Sequence, residues 1–522
     1  MTPTRPRWHA VARTAVVAVS ALALCRGITS PFLGWHEMNS AMYSQFARNH
    51  IQYGLAYTRL YCTWGDTAAP PPAPERYLNH PPLIALWTAL PLVVLGDHEW
   101  TARLVPIAAT LGSVVLLMVI VEGLGGPLLG VLAGFFFAAL PLTMYFGRMI
   151  DHVAPVQFFS LLMLHGYLQW NGLYPRGRQP RLGAFWYVTG AVLGIGTGWA
   201  AVLPALLLCA WHGLRVARGS AEARLLPWLA GAPVVALGAV VLHILAGCAW
   251  DLGMLPALLA GRSLGGAGGA EPWSAWLAVQ WLHLTRNFTL PGVVAAGVCA
   301  CVLVARLVRP APSGTSPTLP FGGGLAAAVG LTGLHGLLYV VLFKNAAWHH
   351  DYWQFFLGPF VATSLAALAA AAGRAVAARA PRLELLVVAA LLVVPVPWAK
   401  ASLAFYATQR QPYSEDVEAF TRLRELVPRR APTWTSRAWP TRTETIGRHT
   451  SRWPNPVVAY YADRPLLYSR DVLEVEANRP GCVAYLLAPS SKPWARELDA
   501  TLSRSHERLP TAAGHVIFLL RR

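Results

Sequence analysis

Long uncharged apolar stretches recur through the first 400 residues of this chain and constrain its fold more than any other feature. A membrane-spanning helix needs about 20 mostly apolar residues. Runs of that order lie at about 104–121, 128–146, 153–170, 225–248, 289–305, 321–343 and 353–373. Only 13% of all residues are charged, whereas a soluble protein carries about 25%. The sequence therefore predicts a polytopic α-helical membrane protein.

Three further apolar regions complete the set of spans. One lies near the start of the chain and a short one lies at about 384–400. The third, Leu182 to Leu214, has 33 residues without a charge, which is too long for a single crossing. Three glycines near its middle allow a tight reversal, so this region is predicted to form two short spans. The reversal is expected at Gly194, Gly196 and Gly198.

The segment Tyr77 to Gly96 is also uncharged, and its assignment decides the orientation of the chain. If it does not cross, eleven arginines in the short loops 171–182, 215–224, 306–320 and 374–383 all face the cytoplasm. Counting it as a span would place all eleven outside, against the preference of arginine for cytoplasmic loops. We therefore predict an interfacial or re-entrant helix here, beginning at Pro81-Pro82.

This topology gives about eleven spans in the plasma (bacterial inner) membrane. The N-terminus lies in the cytoplasm, and the C-terminal region lies outside. The arginine-rich start is also compatible with a signal peptide. We favour a retained first helix because Arg26 interrupts its apolar run. Nine of the twelve acidic residues before residue 401 fall in external loops, so chemistry is expected on the outside. Arg262 and Arg286, in the external loop 249–288, either extend outward to water or face the same cavity as the external polar residues, and the sequence leaves both possibilities open.

The last 120 residues have the charge content of a soluble protein. Helical patterns occur at 415–426 and 492–505, and strand-like apolar runs occur at 483–487 and 515–520. We predict a membrane domain over 1–400, with interfacial helices in an external loop 35–103, and a small external α/β domain over 401–522. Five aromatic residues of this domain are expected to lie in its core, and contact with a saccharide is the alternative. They are Trp434, Trp439, Trp453, Tyr460 and Tyr461.

Three external segments combine polar side chains that suit a reaction site. Glu37 follows the first span, where a carboxylate at the membrane boundary is costly unless it is paired or useful. The second segment is the six-residue turn Gly147–His152, which contains Arg148 and Asp151. The third runs from Lys344 to Trp353 and combines a cation, two histidines, an aspartate and aromatic rings. A solvated carboxylate, an internal ion pair and an aromatic belt are the structural alternatives.

Some functions are disfavoured by the same sequence. The net charge of +18 comes from small groups of arginines between apolar runs, which is typical of membrane flanks and not of nucleic-acid binding. The seven cysteines form no metal motif. A divalent metal held by His349, His350 and Asp351 with Glu37 or Asp151 is a minor hypothesis, because adjacent residues seldom share one coordination shell.

At this point the residues resemble the GT-C glycosyltransferases. More narrowly, the chain is similar to the protein O-mannosyltransferases, the lipid A aminoarabinose transferases and the Rgt-type lipopolysaccharide sugar transferases. The matching pieces are His36-Glu37, Asn79-His80-Pro81-Pro82-Leu83, Gly96-x-x-Glu99-x-x-x-Arg103-Leu104-x-Pro106, Arg148-x-x-Asp151 and His350-Asp351-Tyr352. The family usually has Asp-Glu where this chain has His36-Glu37.

The resemblance implies an inverting transfer of a hexose or pentose from a polyprenyl-phosphate donor to a glycan, lipid or protein acceptor at the external face. Glu37 and Asp151 are the expected catalytic residues, with His36 as the alternative base. Substrate binding is expected of His36, His80, Arg103, Arg148, His152, Lys344, His349, His350, Asp351 and Tyr352. A multi-span transporter of a lipid-linked or small polar substrate is the alternative function, although no internal repeat is visible.

Overall fold

A computed structural model describes residues 8–65, 70–71, 74–174, 177–263, 270–308, 323–380, 384–410, 413–428, 431–439, 441–446, 448–477 and 483–520. Within these ranges, seven helices are long and apolar enough to cross a membrane. They are Glu99–Gly125, Trp199–Ala217, Ala223–Gly247, Trp273–Arg306, Gly323–Leu342, Asp351–Ala377 and Val387–Thr408. The predicted integral-membrane α-helical fold with a small C-terminal sheet is confirmed, whereas the number of eleven spans stays a prediction.

The contacts divide the chain into two compact units. The membrane unit comprises Met1–Ile28, Asn79–Ile84 and Arg103–Thr408. The composite unit comprises Thr29–Leu78, Ala85–Ala102 and Gln409–Arg522. The predicted domain boundary at residue 400 stays a prediction.

Most of the membrane unit is helical. Its helices are Trp8–Cys25, Glu99–Gly125 (from Arg103), Pro127–Ala139, Pro141–Phe146, Val153–Trp170, Pro180–Thr197, Val202–Ala217, Leu226–Gly247, Met254–Ser263, Trp273–Val308, Gly323–Leu342, Lys344–His349, Gly358–Ala377, Glu384–Val393 and Val396–Thr408. Short 3-10 turns at Trp199–Ala201, Ala223–Leu225 and Asp351–Leu357 precede three of these helices.

Helix breaks in this unit follow the glycines and prolines of the sequence. The predicted break in the stretch 182–214 is confirmed, because one helix ends at Thr197 and Gly198 is extended. The run 128–146, predicted as one span, is divided at Leu140, because the residue before Pro141 disfavours helical backbone. The last apolar run extends beyond its predicted end, since a further helix begins at Val396 and ends at Thr408.

Glycines allow two helices of this unit to pack closely. A methyl group on Gly166 would lie 2.4 Å from the backbone nitrogen of Tyr187, and one on Gly183 would lie 2.4 Å from the nitrogen of Trp170. The helices Val153–Trp170 and Pro180–Thr197 therefore approach at backbone distance, as small residues permit in membrane proteins. The close approach also reaches the first turn of Val153–Trp170, because a methyl group on Gly198 would lie 2.9 Å from Cγ2 of Val156.

The segment predicted not to cross forms the helix Leu83–Leu95. Thirteen residues span about 20 Å, which is shorter than a hydrocarbon core of about 30 Å. Three side chains near its end, Leu90, Val93 and Val94, are more than half exposed. Both features favour the predicted interfacial or re-entrant helix.

The composite unit contains a five-stranded mixed sheet, whose strands lie in the order Leu466–Tyr468, Thr433–Thr435, Ala484–Leu487, Val516–Leu519 and Glu507–Pro510. The strands are β3 Thr433–Thr435, β6 Leu466–Tyr468, β7 Ala484–Leu487, β8 Glu507–Pro510 and β9 Val516–Leu519. Strand β3 runs parallel to β6 and β7, whereas β9 runs antiparallel to β7 and β8. The predicted strands 483–487 and 515–520 are confirmed as β7 and β9. The predicted helices 415–426 and 492–505 correspond to Val417–Leu426 and Pro493–Ser505.

Further elements of the composite unit come from its early segments and from its C-terminal segment. Two-stranded ribbons join Cys62–Trp64 (β1) to Glu75–Tyr77 (β2) and Thr441–Ile446 (β4) to His449–Pro454 (β5). The remaining helices are Met38–Tyr53, Leu55–Thr58, Leu83–Leu95 (from Ala85), Pro456–Ala462 and Val472–Ala477. Buried apolar side chains between the sheet and Pro493–Ser505 form a core, including Tyr485, Leu498, Leu502 and Phe518.

A buried ion network joins the early loop to the C-terminal segment within the composite unit. Arg48, on Met38–Tyr53, forms ion pairs with Asp97 at 2.7 Å and with Asp463 at 3.2 Å. Its guanidinium also donates to the carbonyl oxygen of Tyr460 and lies over that ring. Because a buried arginine must keep its charge, these partners make the early helix and the C-terminal segment dependent on one another.

Candidate active site

Asp151 lies in the predicted turn, between the helices Pro141–Phe146 and Val153–Trp170. Its side chain is fully buried, and Oδ1 accepts a hydrogen bond from the backbone N–H of Val153 at 3.2 Å. The Nδ1 atom of His152 lies 2.6 Å from the same oxygen. Because two lone pairs would repel at this distance, the contact favours the tautomer of His152 that carries its proton on Nδ1. This arrangement fixes the His152 ring and leaves Nε2 as the basic nitrogen.

A second histidine stacks on the first. The ring centroids of His80 and His152 are 4.4 Å apart, with the planes tilted by 35°. Arg262, at the end of Met254–Ser263, points Nη2 at Nε2 of His80 from 3.0 Å and also donates to the carbonyl oxygen of Asn79. Since arginine can only donate, Nε2 of His80 must accept, and His80 is neutral with its proton on Nδ1.

The electrostatics of this cluster are consistent with these proton positions. Burial, followed by the positive charge of Arg262, lowers the pKa of His80 well below its usual value. Burial opposes the ionisation of Asp151, but the histidines and the Val153 N–H outweigh it and lower the pKa of Asp151. His350 lies close enough to contribute electrostatically to both shifts in pKa. The cluster therefore combines an ionised carboxylate, a neutral His80 and a permanently charged guanidinium.

Four predicted site residues thus come together in the membrane unit, namely His80, Asp151, His152 and His350. Gly198 helps to make room for them, because a methyl group there would lie 2.9 Å from Cδ2 of His152. Arg262, which the sequence left open, is the additional member. Its only sequence signal is a cation in an external loop, and 182 residues separate it from His80.

Two predicted phosphate-binding arginines lie against the end of the first helix. Arg103 is fully buried and donates to the carbonyl oxygen of Ile28 at 2.8 Å. Arg148 donates to the carbonyl oxygen of Arg26. Arg26 and Ile28 belong to the turn that follows Trp8–Cys25, so both arginines hold this turn in place. Their predicted role in substrate binding is not tested by these contacts.

The remaining predicted residues of the third segment have varied surroundings. Lys344 is buried, donates to the carbonyl oxygen of Glu271 and lies 5.0 Å from the ring centroid of Trp273. His349 is exposed, and its ring lies 6.5 Å from that of His350. Tyr352 is buried, and its ring lies 5.2 Å from His350. His350 and Tyr352 are therefore neighbours, whereas Lys344 belongs to a separate contact.

Asp351 joins a network of neutral polar side chains. The hydroxyl of Tyr406 lies 3.3 Å from its Oδ2 and also donates to Oδ1 of Asn287. Asn287 donates in turn to the Asp351 carbonyl oxygen and to Oε1 of Gln354. Asn287 lies just before a break at Thr289, whose φ of 67° interrupts the helix Trp273–Val308 at the predicted start of a span. Sequence reasoning missed Asn287 and Tyr406 because uncharged residues in apolar surroundings give no charge signal.

Glu37 and His36 belong to the composite unit. Glu37 is buried, precedes the helix Met38–Tyr53, and accepts a hydrogen bond from the N–H of Gly34 at 3.1 Å. His36 has a positive φ of 59°, and its ring packs against Trp35 with the planes tilted by 60°. The local loop thus fixes the Glu37 carboxylate. The catalytic role of Glu37 stays a prediction.

In the described part of the chain, the candidate site residues form no metal cluster and lie away from a cavity near Arg13. Among the described residues, no group of three or more His, Cys, Asp or Glu side chains is arranged to hold a metal ion. A cavity of about 400 Å³ lies in the membrane unit near the ion pair of Arg13 and Glu122 and the hydrogen bond between His165 and Tyr174. None of the predicted site residues lines this cavity.

Comparison with solved structures covers nearly the whole chain. ArnT from Cupriavidus metallidurans in the apo state matches 98% of both chains, with a TM-score of 0.59 and 13% identity. The same protein bound to undecaprenyl phosphate matches 99% of both chains, with a TM-score of 0.60 and 12% identity. This is the GT-C fold. The predicted fold resemblance is therefore confirmed.

A second structure shares the GT-C fold over a longer chain. The Archaeoglobus fulgidus oligosaccharyltransferase tethered to an acceptor peptide matches 99% of this chain and 74% of its own, with a TM-score of 0.54 and 11% identity. No family model matches the sequence, and no curated protein matches it. At these identities the GT-C fold is established by the path of the chain alone.

Proposed function

We propose that this protein is an integral-membrane glycosyltransferase that uses a polyprenyl-phosphate sugar as donor and an acceptor at the external (periplasmic) face. The observation that carries the proposal is the cluster of the buried Asp151 and His152 with the partly buried His80 and Arg262, within a GT-C fold. A structural neighbour with this fold holds undecaprenyl phosphate. Such a donor keeps its lipid in the bilayer and presents its sugar at the surface, where external loops can reach it.

The cluster supplies a base for the transfer. An acceptor hydroxyl attacks the anomeric carbon while the bond from that carbon to the phosphate oxygen breaks, which inverts the configuration. The hydroxyl proton passes to a base within hydrogen-bond reach. Asp151 holds His152 with Nε2 available, so this pair is the proposed base, with the fixed carboxylate of Glu37 as the alternative. The lipid phosphate leaves as an anion and needs no acid.

Cations are needed where the leaving phosphate develops charge. Arg262 already lies beside His80, and its planar guanidinium suits two phosphate oxygens better than an ammonium would. Arg148 and Arg103 are further candidates, although each now contacts a backbone carbonyl. The substrate-binding roles predicted for Lys344, His349, His350, Asp351 and Tyr352 also stay proposals, as does a divalent metal.

Sugar transfer in liposomes tests this function directly. The purified protein is incubated with radiolabelled polyprenyl-phosphate sugars and with glycan, lipid and peptide acceptors. We expect a labelled acceptor and free polyprenyl phosphate from at least one donor. Movement of an intact labelled lipid or sugar between the two sides, with no new glycosidic bond, would overturn the proposal and favour a transporter.

The external location is tested by chemical labelling. A cysteine introduced by Glu99→Cys should react with a membrane-impermeant maleimide in intact cells or right-side-out vesicles, beyond the background of the unsubstituted chain. Protection until the membrane is opened would contradict the proposed orientation.

A further inference from the structure

The carboxyl ends of the parallel strands in the composite unit carry two arginines. Strand β3 ends at Thr435 and is followed by Ser436 and Arg437, and strand β6 ends at Tyr468 and is followed by Ser469 and Arg470. These strands are direct neighbours with parallel register. In open α/β sheets, ligands bind at the carboxyl ends of the strands, where loops diverge.

Both guanidinium groups lie against aromatic rings. Arg437 lies 4.8 Å from the ring centroid of Trp439 and 5.3 Å from that of Tyr413. Arg470 lies 4.6 Å from the ring centroid of Trp494 and 5.6 Å from that of Tyr468. Such contacts hold each cation in place while its outer edge stays in water.

The two arginines belong to one surface. Nε of Arg470 donates to the carbonyl oxygen of Ser436 at 3.1 Å, and Ser436 is the residue directly before Arg437. Arg470 and Tyr468 are exposed, and the Arg437 side chain is 40% exposed. We name this surface, formed by Arg437, Arg470, Trp439, Trp494, Tyr413 and Tyr468, the sheet-edge patch.

Buried groups support the patch from below. One oxygen of Asp416 accepts from Arg437 at 3.4 Å, and its other oxygen lies 2.8 Å from Nε2 of His515. Asp416 and His515 are each 1% exposed. A buried carboxylate held by two partners is costly to build, so it fixes the orientation of Arg437. The nearby acids are engaged within their own segment, because Asp471 accepts from Leu473 and Glu474 accepts from Ser469.

Aromatic rings and fixed arginines together fit an anionic saccharide. A sugar ring presents C–H groups that pack on aromatic faces, and a carboxylate or phosphate pairs with guanidinium groups through two hydrogen bonds. Trp434, Tyr460 and Tyr461 belong to the core instead, because each is at least nine-tenths buried. We propose that the sheet-edge patch binds an anionic saccharide, a uronate or a sugar phosphate, as part of acceptor recognition. Its role in recognising an acceptor rests on the proposed function.

Calorimetry on the full chain in detergent, without any donor, tests the patch separately from transfer. The probes are trigalacturonate, phosphorylated maltotriose, maltotriose and inorganic phosphate. We expect one of the two charged saccharides to bind at least about tenfold more tightly than maltotriose and than inorganic phosphate. The tighter of the two identifies the charged group as carboxylate or phosphate. Equal binding of maltotriose would overturn the anionic specificity, and equal binding of inorganic phosphate would overturn the saccharide.

Substitutions locate the binding. Arg470→Gln removes an exposed cation and should weaken the charged saccharide by about 10- to 150-fold, the range for a lost charged hydrogen bond. Arg437→Gln should do the same, although it also disturbs Asp416, so Arg470→Gln is the decisive variant. Arg504→Gln, an exposed arginine at the far end of Pro493–Ser505, is the matched control. Unchanged binding in Arg470→Gln would overturn the proposal.

Transfer assays on the same variants separate this proposal from the proposed function. Saccharide binding that depends on Arg470, in a protein that transfers no sugar, would leave the patch intact and refute the transferase. Sugar transfer in a protein that binds none of the charged probes would refute the patch alone.

Discussion

Two buried aspartates predicted from the sequence, Asp151 and Asp351, have different kinds of neighbours in the membrane unit. Asp151 contacts His152, which stacks on His80 beside the charge of Arg262. Asp351 contacts the hydroxyl of Tyr406, within a network of neutral amides. Both carboxylates lie in external segments of the predicted topology, so their location alone does not distinguish them.

From this difference we propose that the histidine cluster marks a reaction site and that the amide network is a structural support. Around Asp151, the side chains of His152, His80 and Arg262 can each hold or donate a proton, and the proposed proton positions follow from the distances between them. Around Asp351, the partners come from the 3-10 turn, the broken helix at Thr289 and the last membrane helix, so the network ties three elements together. We therefore expect loss of Asp151 to affect chemistry and loss of Asp351 to affect stability.

The largest expected effect is on turnover in Asp151→Asn. Removing the charge that holds His152 should lower kcat by about 10²- to 10⁴-fold, the typical contribution of a general base. Asp351→Asn should change kcat far less and lower Tm instead. Steady-state transfer rates and thermal unfolding of the purified variants measure both effects.

Asp251→Asn is a matched control for this pair. Asp251 also accepts a backbone N–H two residues later, at 3.0 Å from Gly253, but it has no place in the histidine cluster. A kcat loss in Asp351→Asn as large as that in Asp151→Asn would break the comparison. Normal turnover in Asp151→Asn would move the base to Glu37, and Glu37→Gln would then be decisive.

A smaller effect is expected from the arginine in the Asp151 turn. If Arg148 also reaches the donor phosphate, Arg148→Ala should weaken donor use by about 10- to 150-fold, the equivalent of a lost charged hydrogen bond. Arg148→Lys should recover only part, because a point charge replaces a planar fork. Donor saturation curves measure the change. Unchanged saturation in a folded variant would restrict Arg148 to holding the end of the first helix.

The structural side of the comparison is tested by Tyr406→Phe. This change removes the hydroxyl that serves Asn287 and Asp351 and leaves buried acceptors without it, which should cost about 1–3 kcal/mol in the free energy of unfolding. Transfer by the remaining folded protein should be nearly normal. Tyr187→Phe, at a buried tyrosine whose hydroxyl donates to the carbonyl oxygen of Leu229, is the control. A selective loss of kcat without loss of stability would place Tyr406 in the reaction instead.

The smallest effect concerns pH. The pKa of His80 is lowered in the folded protein, so below about pH 6.5 the unfolded chain takes up a proton that the folded chain does not. This contribution to stability is present above that pH and is lost as the pH falls. His80→Gln should therefore have a shallower decrease of Tm between pH 7.5 and pH 5. An identical pH profile in this variant would show that His80 is not held neutral.

Most of the membrane helices could be predicted because a lipid environment requires long apolar runs. The break at Gly198 and the strands β7 and β9 also followed from local patterns. The break at Leu140 was missed because Pro141 lies within a uniformly apolar run, where hydropathy alone carries no signal for a change of direction. The extension to Thr408 was missed because Pro395, Pro397 and Lys400 together indicate an end of the last apolar run at the membrane interface.

The candidate site was predictable in part, because polar residues are easily recognised in a chain selected for long apolar runs. Asp151, His152, His80 and His350 are conspicuous because charge and imidazole are rare in such a chain. Arg262 was not assigned, since its pairing with His80 depends on how two distant segments meet. Asn287 and Tyr406 are neutral, and their importance arises only from burial. The packing of the loop 29–78 with the C-terminal segment was missed because Arg48 resembles any other loop arginine in the sequence.

The buried ion network of Arg48, Asp97 and Asp463 has a consequence for biosynthesis. Arg48 leaves the ribosome more than 400 residues before Asp463, with most of the membrane helices between them. At roughly 5–20 residues per second, synthesis of the intervening chain takes on the order of 20–80 s. In the proposed orientation, the early loop is exported during this interval without the segment that completes its fold. A nascent chain arrested before residue 455 should therefore be degraded rapidly by proteases outside the membrane, whereas release of the completed chain should make the same loop resistant.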